Sequence, residues 1–164
     1  MDDEVLHGYL QNHWLASTSG TALFQRVGRT HGDPEAAAAV KRLAEEVWAD
    51  REALRGLMDA VGAERSTIGT AIARGVEVVG RLKPNGRLLS RSPLTDVLEL
   101  EALRDAVAGK SAGWQVLRAV ADSDPRLDTV LLDELYERAE RQRGELEVLH
   151  LTVSRRCMAL VGEA

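Results

Sequence analysis

The sequence contains few cysteine, aromatic and proline residues. It contains a single cysteine, Cys157, which excludes both an internal disulfide and a cysteine-based zinc site. Aromatic residues make up 4% of the chain and there are four prolines, a composition that favours helices over strands. No stretch approaches the ~20 consecutive apolar residues of a helix that crosses a bilayer.

A strong excess of one charge sign is also missing. The chain carries 21 basic and 26 acidic residues, a net charge of −5. Proteins that bind nucleic acids need a basic surface to neutralise phosphates, so we do not expect that function. The start, Met1-Asp2-Asp3-Glu4, lacks the basic segment and apolar run of a signal peptide. We therefore predict a cytoplasmic protein without nucleic-acid or membrane partners.

What the sequence does contain is long helical periodicity. Its 164 residues are 45% hydrophobic, which predicts one domain over residues 1–164 with a sizeable core. Apolar residues recur at alternating spacings of three and four, which is typical of helices packed nearly parallel to their neighbours. The predicted inward stripe of the second helix is Val40, Leu43, Val47, Asp50, Leu54, Leu57 and Val61, and that of the third is Leu100, Leu103, Val107, Lys110, Trp114, Leu117 and Ala121. The predicted helices cover residues 3–27, 34–61, 92–121 and 128–160. A weaker helix is predicted over 66–82, followed by a turn at 83–86.

The lengths of the connections predict how these helices are arranged. The first two helices, like the last two, are joined by short breaks and should form antiparallel pairs. The middle connection of about 30 residues is long enough to travel the ~40 Å length of a helix that rises about 1.5 Å per residue. We therefore predict an all-α, ferritin-like four-helix bundle with one long, partly helical crossover between helices 2 and 3.

Each apolar stripe is interrupted by a polar residue near mid-helix, and these residues are His13, Asp50, Lys110 and Gln142. Counted from the turns, all four should lie in one central layer. Buried charges without partners cost several kcal/mol each, so the members of this layer must satisfy one another or hold a ligand. We predict an ion pair between Lys110 and Asp50, with His13 and Gln142 completing the hydrogen bonds. Such a layer fixes helix register, or forms the centre of a ligand pocket.

The four helices, the long crossover and the polar centre resemble the ferritin-like superfamily. Over nearly its whole length the chain is also similar to uncharacterised small helical proteins of actinobacteria. The motifs that carry this second resemblance are Asn12-His13, Glu99-Leu100-Glu101 and Arg138-Ala139-Glu140-Arg141-Gln142. The ferritin-like resemblance implies a bundle that associates, so a homodimer is expected, whereas the second resemblance implies no known activity.

The ferritin-like resemblance also raises the question of a metal. Di-iron members of that superfamily use a carboxylate from each of two helices and Glu-x-x-His from each of the other two. This chain has one such motif, Glu147 to His150, and Lys110 adds positive charge where a dication would sit. A full di-iron site is therefore not expected, but a site for one metal, iron or another divalent ion, stays open. Its candidate ligands are His13, Glu46, Asp50, Glu101, Glu147 and His150.

The remaining signals do not indicate catalysis. Ser17 lies one turn from His13, but serines within helices usually bond their own backbone. Trp114 is expected in the core, whereas Trp14 and Trp48 should seal the bundle edge or a dimer face. The sequence thus favours a non-enzymatic bundle without a cofactor, acting through association or as a binding module. The alternatives are a mononuclear metal-binding or redox protein, and a small-molecule binder with its pocket between the polar layer and the crossover.

Overall fold

The chain folds into four long helices. The computed structural model describes residues 2–65 and 92–159. The helices are α1 (Asp3–Thr30), α2 (Pro34–Val61), α3 (Pro93–Ala121) and α4 (Thr129–Ala159). The predicted all-α four-helix bundle is confirmed, with α1 extending three residues beyond its predicted end. The weak helix and turn predicted over 66–86, and the predicted end of α4 at residue 160, lie outside the described residues.

The first two helices begin where the sequence offers side-chain caps. The Asp2 carboxylate accepts a hydrogen bond from the backbone N–H of Glu4 at 3.0 Å, and Asp33 accepts one from Ala36 at 3.0 Å. Each bond satisfies an N–H that the helix itself leaves free, a contribution of about 1 kcal/mol. Gly62 ends α2 with a φ of 76°, a left-handed conformation that glycine adopts without strain.

Contacts at the two ends of the bundle establish the helix directions. At one end, His7 near the start of α1 donates from Nε2 to the carbonyl of Val61, the last residue of α2, at 3.0 Å. At the opposite end, the N–H of Gly32 donates to Asp96 Oδ1, in the first turn of α3, at 3.0 Å. Helices α2 and α3 therefore run in the same direction. The end of α2 and the start of α3 therefore lie at opposite ends of the bundle, as the connection lengths predicted.

The predicted apolar stripes form the core between these helices. Every residue of the predicted α2 stripe is buried, and so is the α3 stripe apart from Lys110, which is partly buried. The buried α2 residues are Val40, Leu43, Val47, Asp50, Leu54, Leu57 and Val61. Among the described residues, none of the helices combines the length and apolar character needed to cross a membrane.

Candidate functional site

The centre of the bundle holds a network of charged and amide side chains. Asp50 in α2 and Gln142 in α4 are each 1% exposed, and Lys110 reaches both from α3. Lys110 Nζ donates to Asp50 Oδ2, and to Gln142 Oε1 at 2.5 Å. Gln142 Nε2 in turn donates to Glu46 Oε2 at 3.0 Å. Three helices are thus joined by one connected set of polar contacts, which we call the central network.

Arg138 also belongs to the central network, although sequence reasoning placed it on a solvated face. Its Nε lies 2.8 Å from Asp50 Oδ1. The N–H is not aimed along a hydrogen-bond direction, so the contact is electrostatic only. Arg138 precedes Gln142 by four residues, one helical turn, which is the spacing that puts both on the same face of α4. That spacing is the signal that could have found it.

Charges in the central network influence one another strongly. Burial lowers the pKa of Lys110, and the neighbouring Asp50 carboxylate works against that shift. Burial acts to raise the pKa of Glu46, but the hydrogen bond from Gln142 and the nearby Arg141 outweigh it, so the pKa lies below its usual value. The Asp50 carboxylate thus offsets part of the cost of burying the Lys110 ammonium, while Gln142 and Arg141 stabilise the Glu46 carboxylate.

His13 does not join the central network. Its ring lies beside the Tyr9 ring, with 4.7 Å between the centroids, and faces the backbone of Gly113 in α3. No hydrogen bond between described residues connects it to Asp50, Lys110 or Gln142, so the prediction that it completes the network is wrong. Burial between α1 and α3 lowers the pKa of the imidazole. A neutral ring packed on a glycine serves there as a filler between two helices.

The position of His13 can be compared with that of its neighbour on α1, Trp14. Trp14 is buried at 8% exposure, whereas it was expected at the bundle edge. The Trp14 ring is covered by the Arg51 guanidinium of α2, whereas the neighbouring His13 ring faces α3. Trp114 is buried in the core as predicted, and Trp48 is exposed on α2.

The candidate metal ligands do not converge. Glu101 is exposed on the outside of α3. His150 Nδ1 accepts a hydrogen bond from Arg104 at 2.8 Å, and Glu147 lies 3.7 Å from the same guanidinium. Within residues 2–65 and 92–159, no three His, Cys, Asp or Glu side chains come together as a metal would require. The residues present do not fit a di-iron centre, because the position between Asp50 and Gln142 is filled by the Lys110 ammonium.

A second buried charge, Glu99, lies near the start of α3 and was missed by the analysis of the apolar stripes. Glu99 is fully buried on α3, and Arg26 of α1 donates to its Oε1 from Nη1 at 2.5 Å. Glu99 directly precedes Leu100 of the apolar stripe, so a wider inward face than one residue per turn would have found it. His31, at the junction of α1 and α2, is buried and donates from Nε2 to the Asp96 carbonyl at 3.2 Å.

The candidate nucleophiles are occupied or unreactive. Ser17 Oγ donates to the Trp14 carbonyl at 2.7 Å, which is the backbone bond expected of a helical serine. Burial raises the pKa of the Cys157 thiol, and the carboxylates of Asp96 and Asp33 add to that shift. A thiol with a raised pKa is a poor nucleophile at neutral pH, because little of it is thiolate.

No protein-family model matches the chain, and no curated protein is significantly similar to it. The function of the chain must therefore be inferred from the geometry of the bundle.

Proposed function

We propose that the chain is a non-enzymatic helical bundle of the ferritin-like arrangement, and that it acts as a binding module. Its central network takes the place that a metal centre has in the di-iron members of that superfamily. The observation that carries the proposal is the position of Lys110, whose ammonium bridges Asp50 of α2 and Gln142 of α4. A cation supplied by the protein itself leaves no need for a bound one.

In this proposal the network has a structural purpose. Helices α1 and α2 form one hairpin, and α3 and α4 form the other. Asp50 comes from the first hairpin, and Lys110, Arg138 and Gln142 come from the second. Sliding one hairpin along the other by a turn would leave buried charges without partners, at a cost of several kcal/mol. The network thus sets the register, as single buried polar residues do in coiled coils.

Replacing Lys110 by Met tests this purpose, and the chain offers Lys41 as a matched control. Lys110→Met leaves Asp50 buried beside a methyl group, and we expect it to lower the free energy of unfolding by about 3 kcal/mol. Lys41 is exposed and forms no ion pair with a described residue, so Lys41→Met should change it by less than ~0.5 kcal/mol. Urea unfolding of both variants gives the comparison. If both variants changed the free energy of unfolding by equally small amounts, the proposal would be wrong.

Metal content tests the other half of the proposal. Protein purified without chelators should hold less than about a tenth of a metal ion per chain. A stoichiometric divalent ion that is lost in Asp50→Asn would instead support the mononuclear metal hypothesis. The homodimer and the cytoplasmic location stay predictions from the sequence.

A further inference from the structure

The outer face between α1 and α2 carries an open groove. Its volume is about 450 Å³, within the range of small-molecule sites in proteins. Ala44 and Trp48 supply apolar surface, and Trp48 is 48% exposed, whereas Phe24 borders the groove but is 1% exposed. Arg29 and Lys41 supply positive charge to the same groove, with Glu45 as its acidic lining residue. We call this feature the α1/α2 groove.

The cations of this groove differ from most others in the protein. In the described part of the chain, nearly every arginine and lysine forms an ion pair with a carboxylate. The exceptions are Arg29, Lys41, Arg51 and Arg155. Arg29 and Lys41 line the groove, and Arg51 lies beside it. In a chain with a net charge of −5, Arg29 and Lys41 thus bring two cations that form no ion pair with a described residue into one groove.

Two of these cations are held in place by packing. The Lys41 side chain lies against the backbone of Gly28, where an added Cβ would come within 3.0 Å of Lys41 Cγ. The Arg51 guanidinium lies 3.8 Å from the centroid of the Trp14 ring and 5.7 Å from that of Trp48. Its Nη2 donates to Thr18 Oγ1 at 3.3 Å, while its Nε is buried without a partner. These charges are positioned without being neutralised.

We propose that the α1/α2 groove binds a small amphipathic anion, with an apolar body on Trp48 and Ala44 and an acidic head group beside Arg29 and Lys41. The proposal rests on the binding-module function and names its ligand class. Along α2, Trp48 lies between Lys41, seven residues before it, and Arg51, three residues after it. A free monomeric amphiphile fits a groove of this size, which covers a single ligand rather than a protein surface.

Titration of the full chain with laurate, kept below its micelle concentration, tests the proposal. The readout is the ¹⁵N-indole signals of the three tryptophans. We expect the Trp48 signal to shift in a saturable way while the signal of Trp114, which is buried in the core, stays in place. Dodecyltrimethylammonium has the same chain and the opposite charge, and should bind at least about tenfold more weakly.

Variants sharpen this test because the chain contains a matched control cation. The double variant Arg29→Gln, Lys41→Gln should weaken laurate binding by about tenfold or more. Arg155 of α4 is exposed and forms no ion pair with a described residue, so Arg155→Gln should change laurate affinity by less than about twofold. Helical content measured by circular dichroism should be the same for all variants.

Four results would overturn the proposal. They are the absence of laurate binding, equal binding of the cationic amphiphile, equal effects of the groove and Arg155 variants, and binding to phosphatidylglycerol vesicles but not to laurate. The last result would mean that the cations serve a membrane surface. None of these results bears on the central network, whose failure would appear in the stability of Lys110→Met instead.

Discussion

The centre and one end of the bundle both bring together charged side chains from distant parts of the chain, but in different surroundings. At the centre, Lys110 meets an Asp50 side chain that is 1% exposed. At the end where α1 begins, Arg126 donates to Asp3 at 2.6 Å and to Asp124 at 2.6 Å. There the side chains of Arg126 and Asp3 are 35% and 55% exposed, whereas that of Asp124 is 5% exposed, so the cation that joins the cluster is open to water.

This difference in exposure changes what each cluster contributes. Charges at the exposed end are screened by water and salt, and such pairs contribute little to stability. Charges at the centre have given up their hydration, so each depends on its partner. The comparison indicates that hairpin register is set at the centre, while the end cluster adds a small, pH-dependent contribution.

The largest effect should come from removing the central carboxylate. Asp50→Leu leaves the Lys110 ammonium buried without its counter-charge, and we expect the free energy of unfolding to fall by about 3–5 kcal/mol. Urea unfolding followed by circular dichroism measures the loss. The control is Asp3→Asn at the end of the bundle, which should leave the urea midpoint almost unchanged. Similar midpoint shifts for both variants would abolish the distinction between centre and end.

A smaller effect should follow from adding a methyl group to α3 where the His13 ring packs against it. An added Cβ at Gly113 would lie 2.8 Å from His13 Cε1, so Gly113→Ala should destabilise the fold by about 1–3 kcal/mol through overpacking. Gly109, one turn earlier on α3, has no atom within 4 Å of an added Cβ. Gly109→Ala should therefore stabilise the helix by up to about 1 kcal/mol. The melting temperature should fall in Gly113→Ala and rise in Gly109→Ala. A higher melting temperature in both variants would show that the His13 ring is not packed against Gly113.

The smallest effect concerns the end cluster and pH. The hydrogen bonds from Arg126 lower the pKa of Asp124 to about 2, from the ordinary 3.8. Because the folded state holds this proton less tightly than the unfolded state, the stabilisation is complete above about pH 4 and is lost as the pH falls toward 2. The melting temperature should fall over this window, and Asp124→Asn should reduce the slope. An unchanged slope in the variant would assign the acid sensitivity to other carboxyl groups.

Much of the fold could be predicted from periodicity because a buried helix face repeats at a fixed spacing. The α2 stripe was predicted residue by residue, and its one charged member, Asp50, lies in the central network. Lys110 and Gln142 were found by the same reasoning, since a polar residue in the middle of an apolar stripe needs a partner. Helix directions followed from connection lengths alone.

Periodicity was less informative where two adjacent residues compete for the inward position. On α1, Trp14 is buried and His13 is partly buried, so the larger apolar ring decides the local rotation of the face. Charged residues beside a stripe escaped detection for a related reason. Arg138 and Glu99 lie beside the strict stripe of one residue per turn, and a wider inward face would have included both.

A double-mutant cycle between Asp50 and Lys110 is the most direct measurement of whether the central charges depend on each other. It compares the unfolding free energies of Asp50→Leu, Lys110→Met and the variant carrying both changes. If the two side chains form a mutually dependent buried pair, the double variant should lose less stability than the sum of the two single losses, with a coupling of at least about 2 kcal/mol. Losses that simply add, with a coupling near zero, would contradict the account.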